Sequence, residues 1–178
     1  MTSPLRITVA KRTPAAAAQL AELGQRLFHE TYAAQNRPED MAAYEAATFG
    51  PDQQLAELQD PDTVFLLAQM VQEVVGYAKL KVRSTLGLDP AKTAEDRLEV
   101  ERLYVAEDWI GTGLGATLMR RAIEEARQHK CRAVVLGVWE QNERARQFYQ
   151  RFGFRAIGEQ PFTLGYDVQT DLILRKGL

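Results

Sequence analysis

Residues 109–115 read Trp109-Ile-Gly-Thr-Gly-Leu-Gly115, and the spacing of these glycines decides how the rest of the chain is read. An apolar strand pattern, Leu98–Val105, precedes them, and a helical pattern starting at Leu114 follows. Glycines at alternate positions leave backbone N–H groups bare, so a phosphate can approach them closely. They also open a helix, whose N-terminus carries roughly half a positive charge. The segment has the makings of a diphosphate cradle. Two familiar phosphate motifs fit it badly. A dinucleotide-binding fingerprint needs Gly-x-Gly-x-x-Gly, and here the third glycine comes one residue early. A P-loop needs Lys and then Ser or Thr after its last glycine, whereas Gly115 is followed by Ala116-Thr117. Taken alone, the string also fits a plain strand-to-helix turn.

A second motif follows at a fixed distance. After the helix comes a continuous apolar run, Ala133–Trp139, and then Asn142-Glu-Arg-Ala-Arg-Gln-Phe-Tyr-Gln-Arg-Phe-Gly-Phe154. The order strand, glycine turn, helix, strand and then N-x-x-A-x-x-F-Y-x-x-x-G-F resembles the acyl-CoA-binding core of the GNAT-type N-acetyltransferase superfamily. The resemblance is strong over residues 98–154 and extends in outline over the remainder. It implies an α/β (α+β) fold, a mixed and mostly antiparallel sheet with one splayed parallel strand pair, flanked by helices. It also implies acetyl-CoA as co-substrate, with no metal.

The whole chain fits that scale. Its 178 residues suit a single domain spanning 1–178. The hydrophobic share of 46% and charged share of 26% are ordinary globular values. A net charge of −2 gives no footprint for nucleic-acid binding and is compatible with a cationic substrate. Cys131 is the only cysteine, which excludes an internal disulfide and a Cys-based metal site. His29 and His129 lie far apart and read as helix-surface residues. The stretch Met1–Ile7 has no apolar signal core, and no segment approaches the length of a membrane span, so the expectation is a soluble cytoplasmic protein.

Local signals divide the chain. Leu5–Val9 alternates like a strand. Thr13 followed by Pro14 caps and opens a helix running to about Asn36, Pro38-Glu-Asp opens a second, and Pro51-Asp opens a third after Gly50. Thr63–Met70 and Val74–Val82 form two strands, with Val74, Gly76, Ala78, Leu80 and Val82 expected on one face. Residues 84–97 read as a mobile loop. Phe154–Leu164 and Val168–Arg175 close the chain as a hairpin around Gly165-Tyr-Asp167. On the helix from Leu114, Leu118, Ala122 and Ala126 share its apolar stripe, while Arg120, Arg121, Glu124 and Glu125 read as a solvated face.

The strand 98–105 changes phase part-way. Leu98 and Val100 are apolar on one face and Glu99 and Glu101 acidic on the other, yet Leu103 and Val105 put the apolar phase on the acidic side. A β-bulge produces such a slip. In the superfamily that this chain resembles, a bulge here splays the strand from its neighbour, and the pantetheine arm lies in the gap. A strand covered on both faces is the other reading.

Acetyl transfer from a thioester to an amine needs an anchored cofactor, a free amine lone pair and a proton for the departing thiolate. By resemblance, Gly111, Thr112, Gly113, Leu114, Gly115 and Ala116 would offer the pyrophosphate site. The main chain of Leu103, Tyr104 and Val105 would pair with the pantetheine amides. Many members carry Gln or Arg where Ile110 stands, a side-chain contact this cradle lacks. An alkylammonium is almost wholly protonated at pH 7, a deficit of roughly 4 kcal/mol that a carboxylate acting through water must offset. Glu101 is the first candidate base and Glu99, on the same nominal face, the second; either also fits a rim ion pair. Tyr149 is the candidate acid, because a phenol can donate to a developing thiolate. It borders the stripe Ala145, Phe148, Phe152. Asn142 would contact the cofactor or simply cap its helix. Gly153 fits a left-handed helix end.

Longer phrases resemble bacterial spermidine/spermine N-acetyltransferases: Gln35–Met41, Leu98–Val105, Leu136–Glu140 and Gln169–Ile173. The likeness implies a polyamine or similar primary amine as acceptor. Glu30, Glu39, Asp40 and Glu45 on the first two helices are candidate carboxylates for it. A protein lysine or N-terminus, an antibiotic amine, and a silent acyl-CoA-binding module are the rival readings. Homodimers are common in the superfamily, though no helix shows an interface seam.

Overall fold

A computed structural model describes residues 5–88 and 96–178. Seven strands form one sheet in the order β1-β2-β3-β4-β5-β7-β6. They are β1 (Arg6–Val9), β2 (Thr63–Met70), β3 (Glu73–Val82), β4 (Arg97–Val105), β5 (Ala133–Trp139), β6 (Arg155–Leu164) and β7 (Asp167–Gly177). The helices are α1 (Pro14–Tyr32), α2 (Pro38–Thr48), α3 (Pro51–Gln59), α4 (Leu114–Gln128) and α5 (Glu143–Arg151). Every neighbouring pair of strands is antiparallel except β4 and β5. A parallel pair needs a crossover, and α4 supplies it.

The helix boundaries follow from their end residues. Thr13 caps α1, its hydroxyl accepting from the Ala16 N–H at 3.2 Å, with Pro14 at the first helical position. Pro38 and Pro51 open α2 and α3 with Glu39, Asp40 and Asp52 in their first turns, where carboxylates favour the positive end of the helix. At α5, Asn142 caps the start and Gly153, at φ +86°, turns the chain left-handed after the end. Helix α1 stops at Tyr32, and the stretch to Asn36 tightens into a 3₁₀ turn.

Two bulges decide which side chains face which layer. On β4, Arg102 pairs with Lys79 and Val100 with Leu80, so Glu101 has no opposite number. Leu98 and Val100 therefore reach the α4 side before the bulge, and Leu103 and Val105 after it. On β3, Ala68 pairs with Gly76 and Gln69 with Val74, which leaves Val75 as an extra residue. This corrects the expectation that Val74 shares a face with Gly76, Ala78, Leu80 and Val82. Val74 joins the α1–α3 side, and Val75 joins the α4 side instead. A period-2 pattern cannot register an inserted residue, because the sequence on each side still alternates.

The main core lies between the sheet and α4, where Leu118, Met119, Ala122 and Ala126 meet Leu80, Leu98, Val134 and Leu136, all fully buried. Each large apolar side chain among them stabilises the fold by about 1.5–3 kcal/mol. Glu125 is not on the solvated face of α4: it is buried, paired with Arg121 at 2.5 Å and near His129 at 3.8 Å. A second core sets Leu20, Leu27 and Leu58 of α1 and α3 on Phe65 and Tyr77. A third joins Phe28, Met41 and Phe49 to Leu164 at the end of β6.

The β6–β7 turn is clasped to α2. Asp40 is 1% exposed, and its Oδ1 accepts from the Tyr166 N–H at 2.8 Å while Oδ2 accepts from Arg37 at 2.7 Å. A Cβ on Gly165 would lie 2.5 Å from Asp40 Cα, so only glycine fits there. On the other flank, Ser84–Leu88 runs beside β4, with Ser84 hydrogen-bonded to Glu99 and the Arg97 guanidinium donating to the Leu86 carbonyl at 3.0 Å. Residues 89–95 of the expected 84–97 loop lie outside the described residues.

Gly76 lets α4 approach the sheet beside β4. A Cβ there would sit 2.9 Å from the Tyr104 carbonyl and 3.3 Å from Leu114 Cδ2. Gly76→Val is expected to destabilise the protein by about 1–3 kcal/mol, the usual cost of overpacking, measured as a lowered midpoint in urea unfolding. A midpoint equal to that of the parent protein would show that β3, β4 and α4 are not this closely fitted.

Candidate active site

Two structural events meet at the middle of the sheet. Pairing of β4 with β5 runs from Arg97↔Ala133 through Glu99↔Val135 and then stops, although both strands continue. The bulge at Glu101 lies two residues past the last pair. From Val100 onward β4 is bonded to β3 alone, so Leu103, Tyr104 and Val105 border an open gap on the β5 side.

The glycine turn stands at the top of this gap. Gly111 and Gly113 have φ +81° and +89°, and Gly113 caps α4 without any side-chain acceptor. The first bond into the helix is Thr117 N–H to the Gly113 carbonyl at 3.0 Å. Among the described residues, the amides of Gly111, Gly113, Leu114, Gly115 and Ala116 have no acceptor, and they stand at the positive end of the helix. Thr112 differs from its neighbours. Its N–H and its hydroxyl both donate to the Trp109 carbonyl, at 3.3 and 2.6 Å. Gly115 differs as well, since it lacks the positive φ of Gly111 and Gly113, and a Cβ there would make only ordinary contact with Phe148 and Val105 at 3.7–3.8 Å. Ile110 points outward, 39% exposed.

Helix α5 borders the gap from the other strand. Tyr149 does not merely edge its apolar stripe; it is the one buried residue of α5, while Phe148 and Phe152 pack against the core from partly exposed positions. Its ring meets Phe148 and Phe154 edge-on at 5.2 and 5.7 Å. Burial first, and then the neighbouring Tyr32, push its phenol well above the ordinary value, so it holds its proton. No hydrogen-bond partner reaches that hydroxyl among the described residues. The Asn142 carboxamide oxygen accepts from the Ala145 N–H at 3.1 Å, which makes it a helix cap.

The two β4 carboxylates stand in different surroundings. Glu101, on the bulge, is ion-paired with Lys79, and the same ammonium lies 3.2 Å from Glu57. Arg102 grips Glu57 with two bonds of 3.0 and 3.1 Å and reaches Gln54 at 3.2 Å. Although burial alone would raise it, Arg102 and Lys79 hold Glu57 below the usual carboxylate range. Glu99 lies below the divergence, where β4 still pairs with β5, and bonds Ser84. Burial, partly offset by Ser84, raises its carboxyl.

Beyond the gap, α1 and α2 cover the opposite sheet face with aromatic rings. Tyr32 lies edge-on to Tyr104 at 6.3 Å and to Trp139 at 6.5 Å, and Phe28 stacks on Tyr44 at 4.7 Å. Burial raises all of the phenols on this face, Tyr32 to about 12 and Tyr104 further. The acidic residues expected to meet the acceptor here are engaged elsewhere. Asp40 holds the β6–β7 turn, Glu45 accepts from His29 at 2.8 Å, Glu30 pairs with Arg26 at 3.5 Å and Glu39 with Arg37 at 3.6 Å. A different carboxylate faces the rings. Asp171 of β7 lies across from Trp139 and Gln160. It lies in Gln169–Ile173, one of the phrases that resemble the spermidine/spermine N-acetyltransferases, but that stretch alternates like any half-exposed strand, so its periodicity does not distinguish Asp171 from a solvent-facing residue.

Comparison with known proteins agrees with this arrangement. The Acetyltransferase (GNAT) family profile matches residues 24–154. An uncharacterized N-acetyltransferase of Lactobacillus delbrueckii subsp. lactis is 36% identical over 159 residues, covering 88% of each chain. The spermine/spermidine N(1)-acetyltransferase of Bacillus subtilis is 36% identical over 67 residues, 37% of this chain and 44% of that one. The fold superposes on the PaiA N-acetyltransferase of Thermoplasma acidophilum, solved in complex with coenzyme A, with a TM-score of 0.77 at 20% identity, covering 97% and 99% of the two chains. Bare amides at a helix start, above two strands that part, are thus set in a chain that belongs to the GNAT acetyltransferase family and is an acetyl-CoA-dependent N-acetyltransferase.

Proposed function

We propose that this enzyme acetylates a small cationic primary amine, a polyamine such as spermidine or spermine or a similar molecule, by direct attack of the nitrogen on the thioester. The observation that carries the reading is the divergence of β4 and β5 between two unlike surfaces. One offers unpaired amides suited to a diphosphate, and the other offers aromatic rings and the Asp171 carboxylate, suited to a cation. The partial likeness to a spermine/spermidine acetyltransferase supports the same acceptor class.

In this reading the amides of Gly111, Gly113, Leu114, Gly115 and Ala116 hold the pyrophosphate, and Thr112 stiffens the turn that presents them. The main chain of Leu103, Tyr104 and Val105 pairs with the pantetheine arm along the open edge of β4. Asn142 fixes the start of α5 beside the thioester. Glu101 accepts the ammonium proton through water, since the bulge turns it out above the divergence; Glu99 lies below it and stands second. The nitrogen lone pair forms the new C–N bond as the C–S bond breaks, Tyr149 gives its proton to the departing thiolate, and the second proton shed by the newly acylated nitrogen restores the Tyr149 phenol. A phenol kept protonated by burial suits that role.

Four measurements test these assignments. With a panel of amines and peptides and a free-thiol readout, spermidine or a related amine is expected to turn over best; turnover of peptides alone would overturn the acceptor class. Tyr149→Phe is expected to lower kcat about a hundredfold with little change in the acceptor KM, and Glu101→Gln to depress activity most at low pH. Unchanged kcat in the first, or a pH–rate profile of unchanged shape in the second, removes that residue from the mechanism. Gly113→Val must hold a β-branched side chain at φ +89°. It is expected to weaken acetyl-CoA binding about tenfold or more in calorimetry, since left-handed backbone costs such residues about 1–2 kcal/mol. Parental affinity would count against the cradle.

A further inference from the structure

Among the described residues, one carboxylate on the ring-covered face has no partner. Asp171 lies directly across from Trp139 on β5 and Gln160 on β6, so the three side chains share a face, while Leu172 and Leu174 turn to the α4 side. Gly137 stands next to them on β5. A Cβ there would come within 3.2 Å of Asp171 Oδ2 and 3.3 Å of Gln160 Nε2. The absent side chain leaves the carboxylate approachable from the β5 side, where the strands diverge.

The β3 and β4 cations are committed elsewhere: Arg102 to Glu57, and Lys79 to Glu57 and Glu101. Among the described residues no hydrogen-bond donor or cation reaches Asp171. A half-buried carboxylate without a counter-ion is costly to maintain, which makes it a strong acceptor for any cation that can enter. The rings around it favour the same guest. Tyr32 lies 6.5 Å from Trp139 and 6.3 Å from Tyr104 between ring centroids, and aromatic faces attract desolvated ammonium groups. The charge of Asp171 is felt by Tyr32 and Tyr44, where it adds to the larger effect of burial in raising both phenols.

We infer that Asp171 is the anion that receives a cationic nitrogen of the acceptor, with Tyr32 and Trp139 forming the aromatic wall beside it and Gly137 the opening. The assignment rests on the proposed acetylation of a cationic amine and names the residue that selects for it. The groups facing the carboxylate are Tyr32 from α1, Tyr44 from α2, Gln160 from β6, and Gly137 and Trp139 from β5. Only the phenols among them titrate, and burial has raised both. Burial pushes Asp171 itself up to about 6. The anchor is therefore charged at neutral pH and lost as the pH falls through about 6.

The test reads binding rather than turnover. In a Trp109→Phe background Trp139 is the sole tryptophan. Spermidine titrated into the protein saturated with coenzyme A is expected to change its emission to a plateau. The midpoint should rise about tenfold or more in Asp171→Asn, the usual loss when a charged hydrogen-bond partner is removed. It should also rise in the Trp109→Phe parent as the pH is lowered through 6, and that dependence should vanish in Asp171→Asn. Gly137→Ala, which sets a methyl against the carboxylate, should weaken spermidine while leaving coenzyme A affinity in calorimetry unchanged. The inference falls if spermidine produces no change in the Trp109→Phe parent, or if both variants keep its midpoint. Acetylation of spermidine with unaltered binding in Asp171→Asn would overturn this anchor and leave the proposed function standing. Asp171-dependent binding without acetylation of any amine would do the reverse.

Discussion

The site depends on a single unpaired residue in the sheet. A sheet with every strand fully paired has no interior room, because each main-chain amide is spent on its neighbour. Here one extra residue at Glu101 twists β4 away from β5 just after Glu99↔Val135. The divergence exposes main-chain polar groups in the middle of a folded domain, where they are costly unless something else satisfies them. Under the proposed function, the amide-bearing pantetheine arm satisfies them. The bulge then links local strand geometry to the binding of an extended acyl carrier, and α4 ends its own unpaired amides at the same place.

What keeps the divergence open is the packing on both sides. On one side Leu98, Val100, Leu136 and Val138 form a continuous layer under α4, so the strands stay anchored to a common core although they no longer bond each other. On the other side, Glu57 of α3 draws Lys79 and Arg102 together beneath the bulge, and Lys79 in turn meets Glu101. Burial of so many charges is tolerable because each is matched. The network pins the residue that the strand geometry leaves without a partner.

Much of this was legible in the sequence because it rests on local chemistry. The phase slip between Val100 and Leu103 announced the bulge, Thr13, Pro38 and Pro51 announced helix starts, and the glycine string announced bare amides. Val74 was misplaced because the bulge at Val75 leaves no trace in an alternating pattern. Glu125 seemed exposed because its burial depends on Arg121 and His129 closing over it. Among the acidic residues of α1 and α2, Asp40 was misread because the Tyr166 amide that it accepts from lies more than a hundred residues away, and Glu45 because its partner His29 comes from another helix. Glu30 and Glu39 pair with close chain neighbours, Arg26 and Arg37. Asp171 was passed over for the converse reason: its surroundings are created by Gly137 and by rings from α1, α2 and β5, which only the fold brings together.

Under the proposed function, the clasp between Asp40 and the turn at Gly165 bears on how an acceptor enters. That contact ties the second helix to the terminal hairpin at the rim of the ring-lined face, and the tight seat of Gly165 leaves little slack for either to swing alone. A doorway already framed before its visitor arrives spares the encounter the entropy of ordering loops. Its dimensions are then fixed by individual side chains such as Tyr44 and Phe162, so a change in which molecules pass through is open to single substitutions there, with no remodelling of the frame.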